Sequence, residues 1–344
     1  MSLETYLRAM PKVELHVHME GAIQPETLLT LARRNGKPLP FDTVEALREW
    51  VRFEDFPHFV EVYVAITNCL TTVADIELIA QEFLAGQAAQ NVVHSEVTYT
   101  PYTVWQLTGI PFTEQIAAIN RARAWAEDVH GVTMVLVTDI AREVTVEKGH
   151  VTADWAIEYF GRGVDAFGLG GSEVGHPPEK HTAPYARARA AGLPSVPHAG
   201  ETEGPASIWG ALRELKAQRI GHGVRCLEDP ALVDELRARQ IPLEVCPSSN
   251  VCLGVVERLA AHPLPQLIEA GLYVTINSDD PPLFDTSLND EYVRCAEAFG
   301  FDAATMEQLS LNALRASLLP AARRSELERQ FLRDFARLRA EHQV

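Results

Sequence analysis

Short runs rich in β-branched and apolar residues recur along the chain, each followed by a stretch of helical period. Eight stand out: VELHVHM (13–19), VVHSEVTY (92–99), TMVLVTDI (133–140), AFGLGG (166–171), PSVPHAG (194–200), RIGHGV (219–224), PLEVCPS (242–248) and YVTINSD (273–279). Eight strands alternating with helices predict a (β/α)8 barrel, an α/β fold in one domain spanning residues 1–344. No internal repeat and no Gly/Ser linker divides it.

The stretches between the runs carry helix signals. PETLLTLARRNG opens with Pro25 at a first helical position, sets Leu28, Leu31 and Ala32 on one face and stops at Gly36. DPALVDELRARQ offers Asp229 as an N-cap ahead of Pro230. In SELERQFLRDFARLRAEH, Leu327, Phe331, Phe335 and Leu338 form a stripe that predicts a helix packed on the outside of the barrel. The first connection breaks the rhythm: residues 20–91 are too many for a simple crossover and include the apolar helical segment FPHFVEVYVAITNCL (56–70). An insertion after strand one opens onto the C-terminal mouth, as a helical lid or as a structural layer.

Barrel active sites gather at the C-terminal ends of strands, where this chain carries polar residues that would be costly in a core. His16 and His18 end strand one and, two apart, share a face. His198 in PHAGE ends strand five, His222 in GHG ends strand six, and Asp279 and Asp280 in NSDDP end strand eight. Three imidazoles and a carboxylate make a ligand set for one divalent ion, so His16, His18, His198 and Asp279 are the expected ligands and zinc the expected metal. Zinc would bring the pKa of a bound water toward about 7. Glu201, three residues beyond His198, is placed to exchange a proton with substrate if its pKa is raised. His222, between Gly221 and Gly223, is a candidate to orient or deprotonate the attacking water. Asp280 cannot share Asp279's direction on a strand and is expected to face the substrate. The other histidines, His176 and His181 among them, are expected to be surface or structural.

Composition narrows the partners. With 30 Lys and Arg against 47 Asp and Glu, the net charge of −17 repels phosphate backbones and anionic lipid. Neither nucleic acid nor a membrane is expected as a partner; a small molecule is. Five cysteines without a Cys-x-x-Cys spacing argue against a disulfide framework and a thiolate zinc site. MSLETYLRAMPKVE lacks an apolar signal core, so a cytoplasmic location is expected. Oligomeric state is not legible here.

Taken in order, PKVELHVHMEGA, GLGGSEVGHPPEK, HAGE, RIGHGV, CPSSN and NSDDPPLF resemble the adenosine deaminase family of the amidohydrolase superfamily over nearly the full length. The resemblance implies a (β/α)8 barrel, one zinc ion per chain and hydrolytic release of ammonia from C6 of an adenine ring. It implies that Glu201 protonates N1, His222 aids the attacking hydroxide, Asp280 holds N7 and the Gly171 backbone lies near N3. Further substrate contacts are implied for His18 and Glu20. AFGLGG contains no lysine or glutamate to bridge a second metal, so one ion is expected.

The substrate within the family stays open. Adenosine deaminases commonly carry aspartate where this chain has Glu20, which reaches one methylene farther. GSEVGHPPEK and IPLEVCPSSN look like adenine deaminase, whereas GHG and DPPLFDTSL are closer to nucleoside enzymes. FPHFVEVYVAITNCL followed by VTYTP resembles aminodeoxyfutalosine deaminases, whose substrate is an adenosine derivative with a bulky 5′ acid. Adenosine and that derivative are expected ahead of free adenine. Outside the deaminases, an ester or lactone hydrolase is disfavoured by the Glu201 and Asp280 pair, because a lactone has no ring nitrogens to grip. A catalytically silent nucleoside-binding protein is disfavoured by retention of every expected ligand.

Overall fold

A computed structural model describes residues 2–54 and 56–344. The eight expected strands are all present: β1 (Lys12–His18), β2 (Val92–Tyr99), β3 (Thr133–Ala141), β4 (Ala166–Gly170), β5 (Ser195–Ala199), β6 (Ile220–His222), β7 (Leu243–Val245) and β8 (Val274–Ile276). They pair in sequence order, every pair parallel. A parallel bridge between Val17 and Asp279 brings the chain beyond β8 back to β1 and completes the barrel. There the Asp279 N–H donates to the His16 carbonyl at 3.1 Å and the His18 N–H to the Asp279 carbonyl at 2.9 Å.

The last strands are shorter than their sequence runs, for a local reason. His222, the last residue of β6, and Asp279 adopt φ of 62° and 66°, left-handed values that end an extended run. The run 273–279 ends as a strand at Ile276, and Asp279 stands beyond it as a single bridge residue against Val17. The reasoning that put Asp279 and Asp280 on opposite faces of a strand does not apply, because the left-handed backbone at Asp279 sets their relative directions.

Helices cover the barrel through two apolar clusters. Val97, Leu136, Ile140 and Leu169 lie in one, with Ile79 and Leu84 of the helix Val73–Ala89 and Ile116 and Ala122 of Phe112–His130. Leu15, Ile220, Leu243 and Ile276 lie in the other, with Tyr292, Leu314 and the buried stripe Leu327, Phe331, Phe335 and Leu338 of the helix Ala321–His342. Helix Pro25–Asn35 ends at Gly36 with φ 61°, and the Asp229 carboxylate caps Pro230–Arg239 by accepting from Ala231 N–H at 2.9 Å.

Among its described residues, the first connection holds four helices, Pro25–Asn35, Val44–Trp50, Phe56–Asn68 and Val73–Ala89. Val62 and Ile66 of the third are fully buried in the first cluster, so this helix is a packed layer as well as a neighbour of the mouth. Among the described residues, no single helix is long and apolar enough to cross a membrane.

Candidate active site

Strand ends deliver the expected ligands to one point. Ring nitrogens of His16, His18 and His198 and a carboxylate oxygen of Asp279 all lie within 4.8 Å of one another. His18 Nε2 is 3.1 Å from His198 Nε2 and 3.2 Å from Asp279 Oδ1, and His16 Nε2 is 3.4 Å from the same oxygen. His16 Nε2 and Asp279 Oδ1 are buried without a hydrogen-bond partner. Buried polar atoms are rarely left so, and a cation at their midst would satisfy both. Three neutral imidazoles and one carboxylate are a suitable donor set for a tetrahedral or five-coordinate divalent metal. A grouping of His16, His222, Cys246 and Asp279 reuses two of these ligands and so describes the same place. Its thiol donates to the Glu244 carbonyl, and burial, then Asp279 and Glu201, push the Cys246 pKa far up, away from the thiolate a metal needs.

Behind these candidate ligands lies a row of charges that sequence reasoning missed. His16 Nδ1 meets Glu244 Oε2 at 3.0 Å; Glu244 Oε1 accepts from Arg219 Nε at 2.6 Å, and Arg219 also donates to Glu96 Oε2 at 2.6 Å. A carboxylate on Nδ1 fixes the proton there and leaves Nε2 free to bind a metal. The signal was present: Glu96 and Glu244 sit inside the apolar strand runs VVHSEVTY and PLEVCPS, and buried charges are costly unless paired.

Glu201, His222 and Asp280 surround the same point. His222 Nε2 lies 3.5 Å from Glu201 Oε1 and 3.9 Å from Asp279 Oδ2. Burial, reinforced by the charges of Asp279, Glu173 and Asp280, raises the Glu201 pKa well above the usual carboxylate range and so favours its protonated form. Burial also works against a charge on Asp279, but the imidazoles of His16 and His18 beside it outweigh burial and hold that carboxyl far below its ordinary value. Asp280, pushed to about 7 by burial and then by Asp279 against the pull of His18, packs on Gly21 so closely that a Cβ there would overlap its carboxylate.

The loop bearing Glu201 is gathered by Glu173, another residue with no role in the sequence reading. Its carboxylate accepts the backbone N–H groups of Gly200, Glu201, Thr202 and Glu203 at 2.8–3.0 Å and the Ser207 hydroxyl at 2.6 Å. Glu20 is fully buried: Oε1 accepts from Thr100 N–H at 3.1 Å, Oε2 has no partner, and burial raises its pKa to about 7. Tyr63, on the inserted helix, interacts with both Glu20 and Thr100. Gly171 is exposed at the mouth with φ 85° beside Glu143, while Gly170 faces Asp139 and His198. His181, in the polar loop, is fully buried, where burial lowers its pKa to about 4.

Comparison with known proteins identifies the family. The adenosine deaminase family model matches residues 11–332. An aminodeoxyfutalosine deaminase from Streptomyces avermitilis is 40% identical over 328 residues, covering 94% of this chain and 91% of that protein. The crystal structure of an adenine deaminase from Arthrobacter aurescens superposes with a TM-score of 0.89 at 34% identity, over 96% of this chain and 99% of its own. An amidohydrolase structure from Burkholderia ambifaria with bound zinc gives 0.91 at 27% identity, over 98% of this chain and 94% of its own. By motif order, barrel topology and the clustered histidines, aspartate and glutamate, the chain belongs to the adenosine deaminase family of hydrolytic deaminases.

Proposed function

We propose that this enzyme removes the C6 amino group from the adenine ring of a nucleoside derivative, with one zinc ion held by His16, His18, His198 and Asp279. The observation that carries this reading is the meeting, in one buried place, of the unpartnered His16 Nε2 and Asp279 Oδ1 with the carboxyl of Glu201, whose pKa burial raises. When bound, zinc supplies hydroxide at neutral pH by lowering the pKa of a coordinated water to about 7. The Burkholderia neighbour's bound zinc supports that choice of metal.

The chain's own groups do the rest. Glu201 delivers its proton to ring N1, drawing electron density from C6. His222 sits beside Glu201 on the attacking side, Asp280 holds N7, and the Gly171 backbone borders the ring near N3. Glu20 borders the far end of the substrate, where Tyr63 and Thr100 surround it, and His18 contacts the substrate from the metal side. Ammonia departs and the 6-oxo purine remains. A small-molecule partner in a reducing cytoplasm fits the net charge of −17 and the five free cysteines.

The Streptomyces relative supports an aminodeoxyfutalosine-type substrate, an adenosine with an enlarged 5′ acid group. Free adenine is the second reading, favoured by the name of the Arthrobacter neighbour. Ammonia release from aminodeoxyfutalosine, adenosine and adenine, measured in parallel, separates them. A higher kcat/KM for a nucleoside supports the first reading; turnover of adenine alone overturns it and leaves the reaction chemistry standing.

A further inference from the structure

His222 is tied to a buried relay that runs away from the site. Its Nδ1 lies 3.4 Å from the amide nitrogen of Asn250, whose Oδ1 lies 3.1 Å from Nε2 of His262. His262 Nδ1 in turn lies 3.0 Å from the backbone nitrogen of Leu264. All three side chains are essentially inaccessible to solvent.

Only one arrangement of protons satisfies this chain. A backbone N–H can only donate, so His262 Nδ1 accepts. Burial lowers the His262 pKa to about 4, so the ring is neutral and its single proton sits on Nε2, pointing at Asn250. Asn250 must therefore present its oxygen to His262 and its NH2 to His222, which settles the amide orientation. Facing a donor, His222 Nδ1 has to accept; a proton there would set two donors against each other. The His222 proton is left on Nε2, the atom 3.5 Å from Glu201 and 3.9 Å from Asp279.

We propose that Asn250 and His262 are positioning residues that lock His222 in the Nε2–H tautomer, so that it enters the reaction donating a hydrogen bond to the attacking oxygen and not as a base. The catalytic part of this rests on the deaminase reading; the tautomer itself does not. Asn250 lies in the short helix Pro247–Cys252 just after β7, and His262 precedes the helix Leu264–Glu269, so the relay couples the mouth of the barrel to its outer layer.

The test reads the ring nitrogens of His222 directly, by 15N NMR of zinc-loaded, 15N-histidine-labelled enzyme, with assignment from a His222→Gln spectrum. The wild type should show a protonated Nε2 and an unprotonated Nδ1. Asn250→Asp offers an acceptor in place of the donor and should move the proton to Nδ1. His262→Leu frees Asn250 to turn over and should mix the tautomers, lowering kcat on the order of 10²-fold with little change in KM. His262→Gln, which still donates to Asn250, should restore both the spectrum and most of the rate. A wild-type ring protonated on Nδ1 overturns the proposal, as does an Nε2–H that persists unchanged in Asn250→Asp and His262→Leu. Absence of deaminase activity from a protein with the expected spectrum would count against the function and not against the relay.

Discussion

Glu173 gives the account its sharpest mechanical test. One carboxylate holds four consecutive backbone N–H groups, from Gly200 to Glu203, and so fixes the backbone from which Glu201 projects. Burial opposes its charge, but Arg142, Ser207 and those N–H groups outweigh burial and keep it ionised. In Glu173→Gln, the amide oxygen can replace Oε1 toward Gly200 and Ser207, and the amide nitrogen then confronts the three N–H groups that Oε2 accepted. Hydrogen bonds to a charged acceptor contribute about 1.5–3 kcal/mol each. Even at the low end, losing three costs the loop about 4–5 kcal/mol, a large share of a typical domain's 5–15 kcal/mol. The proposed ligands His16, His18 and Asp279 lie on other segments, so a metal held there should remain. Misplacing a reacting group by about 1 Å costs on the order of 10²-fold in rate. The assay is kcat together with metal content and urea unfolding. The expectation is a fall in kcat of ~10²-fold or more, a clear loss of stability and near-stoichiometric metal. Turnover within twofold of wild type in a folded variant would refute the argument that Glu173 positions Glu201.

Three further outcomes follow from particular contacts. Glu244→Gln should weaken metal binding by about 10–100-fold, read by competition with a chelator, because His16 Nδ1 loses its carboxylate partner. Gly21→Ala should lower kcat/KM by at least ~10-fold with metal retained, since the new methyl group must displace Asp280; unchanged kinetics would exclude Asp280 as a substrate contact. Lys12, sealed beneath the barrel and donating to the Leu7 and Met10 carbonyls, has its pKa lowered to about 7 by burial and then Arg8, against 10.5 for an ordinary lysine. From about pH 7 to 10.5 the unfolded chain holds this proton and the native one does not, so Lys12 makes stability rise with pH by up to ~1.4 kcal/mol per pH unit. Lys12→Met should flatten the slope of urea-unfolding free energy between pH 7 and 9; an unaltered slope would contradict a neutral buried lysine.

Much of the site was legible because barrel geometry turns strand ends into an address. His16 and His18 share a face by period two, and His198, His222 and Asp279 fall at later strand ends, so strand order alone predicts that they meet. The supporting residues were hidden for different reasons. Glu96 and Glu244 were visible as charges inside apolar strands, a signal passed over because strand period says nothing about what a charge pairs with. Asn250 and His262 could not be linked to His222 from the sequence, since their contacts depend on how the segments after β6 and β7 pack together. Nor could the left-handed backbone at Asp279 be read, because aspartate favours that conformation only when its surroundings impose it. Residues 20–91 show the limit of pattern reading most plainly. Their helical period predicted a helix at 56–70, and only tertiary packing reveals Val62 and Ile66 in the core with Tyr63 beside Glu20.

The most direct measurement of the central claim is ammonia release by enzyme stripped of metal with a chelator and reloaded with zinc in steps, beside a Glu201→Gln variant of equal zinc content. Activity should vanish on stripping, return in proportion to zinc up to one ion per chain, and stay at least ~10²-fold lower in the variant. Turnover that survives metal removal, or a Glu201→Gln enzyme as fast as wild type, would contradict the mechanism.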